Sequence, residues 1–150
     1  MSRIRVDPLD DSSHALRDAA AAILARAFAN PERYSVDRIA RELEFEASPL
    51  FYRQFFVAMR SGEVLGVGGV KAADWASHTH LLYLSAVAPE WRGQGIGRAL
   101  VKARIEWVES RFASGRLLVS TDKVKRFREL GFSEIRHSNI DGRRLMLRRF

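Results

Sequence analysis

Three glycines alternate through Arg92-Gly93-Gln94-Gly95-Ile96-Gly97-Arg98, a loop between the apolar run Leu81 to Val87 and an amphipathic segment from Ile96 to about Phe112. Glycine turns the chain tightly and lets backbone amides approach a ligand with no Cβ in the way. The first turn of a helix carries unpaired N–H groups and the positive end of the macrodipole. Together these features predict a phosphate site, with Arg92 and Arg98 adding charge on either side. Two common phosphate motifs do not fit. No Gly-Lys-Ser or Gly-Lys-Thr occurs anywhere in the chain, which removes the ATP-binding loop. The dinucleotide fingerprint needs its third glycine one residue later than Gly97, and the chain lacks the βαβ repetition of such domains.

The rest of the chain reads as mixed α/β around one core. Ser12 or Ser13 can cap a first helix carrying Leu16, Ala20, Ile23, Ala27 and Phe28 at helical spacing, stopped by Asn30-Pro31. A second helix starts at Ser35, with Val36, Ile39, Ala40 and Leu43 on one side, and Pro49 closes that region. Leu50 to Met59 and Val64 to Val70 read as an antiparallel hairpin around Ser61-Gly62. Leu81 to Val87 has the continuous apolar character of a central strand buried on both faces. The helix from Ile96 buries Leu100, Ala103 and Trp107, flanked by Val101, Ile105, Val108 and Phe112. Leu117 to Val119 is a short strand, and Val124 to Leu130 is a short helix closed by Gly131. Phe132 to Arg136 and Leu145 to Leu147 form a final strand pair around Asp141-Gly142. The expected order is αα-ββ-β-α-β-α-ββ.

Composition narrows the chemistry. A length of 150 residues suits a single domain over 1–150, and 47% hydrophobic content is enough for a core. The chain has no Cys, so disulfides, thiolate metal sites and a Cys nucleophile are all excluded. Twenty-five basic against 18 acidic residues give a net charge of +7, which favours anionic partners without choosing among them. Arg143, Arg144, Arg148 and Arg149 are expected as solvated strand residues. No apolar run reaches the roughly 18 residues of a membrane span. The polar, acidic Met1 to Asp11 is no secretory signal. A soluble cytoplasmic protein with no membrane partner is the expectation.

The stretch Val87-Ala88-Pro89-Glu90-Trp91-Arg92-Gly93-Gln94-Gly95-Ile96-Gly97-Arg98-Ala99-Leu100 resembles the acetyl-CoA motif of the GNAT superfamily of N-acetyltransferases. The core of that motif is Arg/Gln-x-x-Gly-x-Gly/Ala, and Arg92, Gly95 and Gly97 fill its fixed slots. Leu130-Gly131-Phe132 is similar to the Leu-Gly-Phe that follows the family's last helix. The resemblance implies a mixed sheet whose central strand splays from its parallel neighbour, with the pantetheine arm filling the gap. It also implies that backbone groups of Ser85, Ala86 and Val87 pair with that arm. Amides across Gly93, Gln94, Gly95, Ile96, Gly97 and Arg98 would then hold the pyrophosphate. The implied activity is acetyl transfer from acetyl-CoA to a primary amine of a small molecule or peptide, by direct attack and without a metal.

Transfer to an amine requires a deprotonated nucleophile, a donor for the oxyanion and relief of charge on the departing thiolate. The chain departs from the family pattern on these points. The Tyr often found four residues before the Gly of Leu-Gly-Phe is Phe127, which has no proton to give. The Asn seven residues further back is Ser120. A Glu often placed near the start of the central strand is also missing from His78-Thr79-His80. His80 is therefore the expected base, since an ordinary pKa near 6.5 suits proton removal at neutral pH. Tyr83 is the substitute acid, and Ser120 with Thr121 can hydrogen-bond the sulfur. Tyr34, Tyr52 and Trp75 fall in regions that border the acceptor pocket of similar folds. Glu42, Glu44 and Glu46 read as a solvated helix end that can attract a cationic amine. His78 and His80 lack a third ligand, so no metal is expected.

Two other functions remain open at the level of sequence. An acyl-CoA sensor that keeps the fold without catalysis is consistent with Phe127. A nucleic-acid-binding module would account for the charge alone, but most aromatics here lie in apolar strands or helices rather than interleaved with basic residues. A homodimer is compatible with the resemblance.

Overall fold

In a computed structural model that describes residues 3–10, 13–48 and 51–150, seven strands form one sheet in the order β1-β2-β3-β4-β5-β7-β6. They are β1 (Arg5–Pro8), β2 (Arg53–Arg60), β3 (Glu63–Ala72), β4 (Thr79–Val87), β5 (Arg116–Thr121), β6 (Ser133–Glu134) and β7 (Arg144–Arg149). Four helices accompany them: α1 (His14–Ala27), α2 (Val36–Leu43), α3 (Ile96–Arg111) and α4 (Val124–Glu129). All strand pairs are antiparallel except β4 with β5.

Local chemistry accounts for most boundaries. Ser13 Oγ accepts from the Leu16 amide at 3.4 Å and Ser35 Oγ from the Arg38 amide at 3.1 Å, so each hydroxyl satisfies a donor exposed in a first turn. The Ser61-Gly62 turn takes φ of 51° and 80°, the left-handed pair that joins twisted strands. The alternative cap Ser12, the stop at Pro49 and the strand start at Leu50 lie outside the described residues.

The sheet is packed on both faces. One core joins Leu65, Val70, Leu82 and Val119 of the sheet to Leu100 and Val101 of α3 and Phe127 of α4. The other joins Phe55, Val57, Val67 and Leu84 of the sheet to Leu24 of α1 and to Ile39 and Leu43 of α2. β2 alternates between the two: Phe55 and Val57 serve one core, Phe56 and Ala58 the other.

Three points differ from the sequence reading. β1 was not anticipated; its four residues include a proline and carry no long alternation, and it exists because β2 offers an edge from Phe56 to Met59. In α2, Ile39 and Leu43 are buried, but Val36, 79% exposed, and Ala40 face solvent. The last two strands pair antiparallel as expected, Ser133↔Leu147 and Glu134↔Met146, and β7 also pairs with β5 from Arg116↔Arg149 to Thr121↔Arg144. Finally, β4 is not buried throughout: Leu81 and Tyr83 are half-buried and Ser85 is exposed.

Candidate active site

The parallel ladder between β4 and β5 runs through Thr79↔Arg116, His80↔Leu117, Leu81↔Leu118 and Leu82↔Val119, and stops there. Both strands continue, to Val87 and Thr121, without pairing to each other. A bulge explains the divergence. Gly69 pairs with Tyr83, but Val67 pairs with Ala86, so β4 carries one more residue than β3 over that interval. Leu84 absorbs the mismatch with φ of 44°, and the bulge turns the end of β4 away from β5.

The glycine loop lies at the mouth of this fork. Gly93 and Gly95 take φ of 79° and 81°, and Gly95 caps α3 without a side-chain hydrogen bond. Among the described residues, the amides from Gly93 to Arg98 make no internal hydrogen bond; the first helical bond is Ala99 N–H to Gly95 O at 3.0 Å. Six consecutive donors and the positive end of α3 are therefore left without a partner in the chain.

Fork and loop enclose one cavity of about 570 Å³. Ser85, Ala86, Val87, Arg92, Gly93, Gly95, Ile96 and Gly97 line it, together with Tyr83 and Ser120. Gln94 and Arg98 do not. The Arg98 charge is taken up by an ion pair with Glu129, a hydrogen bond that holds the Glu129 carboxyl below its ordinary pKa. Other cations face the cavity instead: Lys123, Arg126 and Arg143. Arg126 lies so close over Gly97 that a Cβ there would come within 2.6 Å of its Nη1. Arg143 Nη2 donates to Ser120 O at 2.6 Å, which holds that side chain beside β5 rather than loose in solvent. The basic run Lys123, Lys125, Arg126, Arg128 was the available sequence signal for this cluster.

The catalytic candidates are separated. Tyr83 O–H donates to Glu42 Oε2 at 2.7 Å, and Lys71 Nζ lies 4.0 Å from the same carboxylate. Burial first, then the bond to Glu42, pushes the Tyr83 phenol well above its ordinary pKa. Glu42 is thus tied to the strand beside the cavity, whereas Glu44 and Glu46 are exposed as expected. His80 does not border this cavity. It is 3% exposed, its Nδ1 lies 2.7 Å from Tyr52 Oη, and its ring packs 4.5 Å from Phe112. Burial, with a smaller contribution from His78, lowers its pKa to about 4. His80 lines a second cavity of about 510 Å³ at the other end of β4, with Phe51, Asp74, Trp75 and Phe112. Of the three aromatics expected near the acceptor, none lines the first cavity. Phe28, against which Tyr34 packs at 5.0 Å, does so instead. Phe127 lines it from α4, its ring edge-on to Phe132 at 5.2 Å.

Comparison with known proteins follows the same lines. The acetyltransferase (GNAT) family model matches residues 18–132. No curated protein matches the chain by sequence. Solved structures share the fold at low identity. Escherichia coli ElaA superposes with a TM-score of 0.78 at 12% identity, covering 97% of this chain and 99% of its own. The PaiA N-acetyltransferase of Thermoplasma acidophilum, solved with coenzyme A, gives 0.70 at 13% identity, covering 99% of both chains. An acyl-CoA N-acyltransferase of Pseudomonas aeruginosa gives 0.74 at 14% identity, covering 97% of this chain and 99% of its own.

Proposed function

The chain belongs to the GNAT family of acetyltransferases and is an acetyl-CoA-dependent acyltransferase, and from that premise we propose that it acetylates a primary amine of a small molecule or peptide by direct attack of the amine. When bound, acetyl-CoA supplies the electrophilic thioester carbonyl and a sulfur leaving group. Three features of the cleft fit it. The unpaired amides from Gly93 to Arg98 can receive a pyrophosphate. Arg92, Lys123, Arg126 and Arg143 surround the same space with positive charge suited to phosphates. Ser85, Ala86 and Val87 keep an edge with no β5 partner, where the amides of a pantetheine arm can pair.

One observation carries the proposal: the β4–β5 ladder ends at Leu82 and Val119 while both strands run on beside the loop. On the acceptor side, Glu42 and Tyr83 form a polar pair beneath the cleft. A carboxylate there attracts the ammonium form of an amine, whose ordinary pKa is about 10.4. Tyr83, with its proton engaged by Glu42, orients that carboxylate rather than protonating sulfur. Ser120 adds an exposed hydroxyl at the end of β5. With His80 outside the cleft, we assign removal of the amine's proton to water there. A cytoplasmic site of action and a homodimer belong to the same proposal; fractionation and sedimentation test them.

Calorimetry with acetyl-CoA, followed by thiol release across a panel of amines, tests the function. Saturable binding and turnover with at least one amine class are expected; absence of acetyl-CoA binding overturns the proposal. Phe127 favours one second reading, an acyl-CoA sensor, because the position at the cleft wall offers no proton. Tight binding with no thiol release from any amine would establish the sensor.

A further inference from the structure

Arg104 is the largest fully buried side chain in the core, 1% exposed. Among the described residues no carboxylate pairs with it. Its Nε donates to Leu100 O at 3.0 Å, its Nη1 to Gly69 O at 2.9 Å and its Nη2 to Ser85 Oγ at 3.1 Å. Space for the guanidinium exists because residue 68 is glycine; a Cβ there would lie 2.8 Å from Arg104 Cζ. A buried cation without a counter-ion is costly, and burial lowers the Arg104 pKa to about 9, which still leaves it charged at neutral pH.

Its location is specific. Gly69 is the register partner of Tyr83, the first β4 residue beyond the parallel ladder, and Ser85 follows the bulge. Arg104 also lines the cleft. The charge therefore lies at the apex of the fork. If the pyrophosphate lies at the loop and the arm runs along Val87 to Ser85, as proposed above, the reactive end of the coenzyme falls at this apex. Ser85 Oγ accepts from Arg104, so its own proton is directed elsewhere, and Ser85 is exposed to the cleft. A hydroxyl that accepts from a cation is a stronger donor.

We propose that Arg104 is a positioning residue for acyl transfer, a fixed buried cation that acts through its field and through the Ser85 hydroxyl to stabilise the coenzyme's sulfur as thiolate. Transfer forms a C–N bond to the amine and breaks the C–S bond; the electron pair goes to sulfur, and the amine's surplus proton goes to water. With Arg104 in place, the leaving sulfur needs no proton donor, and Phe127 can occupy the position it does. The other ionisable groups lining the cleft are Tyr83, Arg92, Asp122, Lys123, Arg126 and Arg143. They are common to the wild type and the variants below.

The proposal rests on coenzyme binding, and the test separates the two. Coenzyme A is bound to the wild-type protein, and its thiol is titrated by thiolate absorbance. The thiol is expected to titrate about one unit or more below its value in free coenzyme A, measured alongside. In Arg104→Met it should return toward the free value, with Arg104→Lys in between. Ser85→Ala, on an exposed side chain, should lose part of the shift, which keeps the test open even if the Arg104 variants fold poorly. A wild-type thiol that titrates as it does free in solution overturns the role of Arg104 while leaving binding intact. Failure of coenzyme A to bind at all instead overturns the functional proposal.

Discussion

The two ends of β4 are built from one continuous strand and do opposite things. At the Thr79 end the backbone is zipped to β5, the side chains are buried, and a histidine is locked to Tyr52 inside an aromatic cluster. At the Val87 end the backbone edge is open, Ser85 is exposed, and cations and unpaired amides gather around it. Only two register steps separate Leu82, the last zipped residue, from the bulge at Leu84. The difference teaches that residue type alone does not bring a polar group to the cleft. His80 has the more reactive side chain, yet it lies outside the cleft, held against Tyr52. At the open edge it is main-chain atoms that are left without a partner on β5.

The largest expected effect comes from abolishing the difference. Deleting Ser85 removes the extra residue of β4, so the strand can realign with its neighbours and close the fork. Acetyl-CoA affinity should fall by about a hundredfold or more, measured by calorimetry, with near-native circular dichroism. Retained affinity would mean that the bulge is not what opens the site.

The closed end should show itself through pH. His80 titrates at about 4 in the folded state against 6.5 in its ordinary form. A depressed histidine means that the unfolded chain binds the extra proton between those values. Stability is therefore full above pH 6.5 and falls as pH drops towards 4. The expected loss is about 3 kcal/mol over that window, read as a shift in denaturant midpoint. His80→Asn should flatten the dependence and leave coenzyme affinity unchanged; an altered affinity would erase the division between the two ends.

A smaller effect is expected at the rim of the open end. Arg126→Ala should weaken coenzyme A binding about tenfold, an effect that shrinks as salt rises. The denaturant midpoint should barely move. A stability loss without an affinity loss would make Arg126 a support for the first turn of α3 rather than a phosphate contact.

Sequence reasoning succeeded where a residue's role depends on its neighbours in the chain. The turns at Gly93 and Gly95, the caps Ser13 and Ser35, and the Ser61-Gly62 turn all act within a few residues of themselves. It failed where partners are distant. Glu42 meets Tyr83 across 41 positions, and Arg104 reaches Gly69 across 35, so neither pairing leaves a local trace. On its helix Arg104 looks like one more basic residue beside an apolar face. Arg98 is a third case: its flanking glycines suggest a side chain free for a ligand, but Glu129, 31 positions on at the end of α4, pairs with it. Leu84 could not have been read at all, because a leucine with positive φ is imposed by the strands on either side.

The bulge also resets which side of the sheet each residue visits. Leu82 belongs to the α3 face and Tyr83 to the α1–α2 face, but Leu84 stays on the α1–α2 face, Ser85 meets Arg104 on α3, and Ala86 and Val87 continue in this shifted phase. A saturation mutagenesis scan along β4 should therefore resemble two short strands spliced half a period apart. Any odd–even rule of tolerance inferred from its first half will invert in its second.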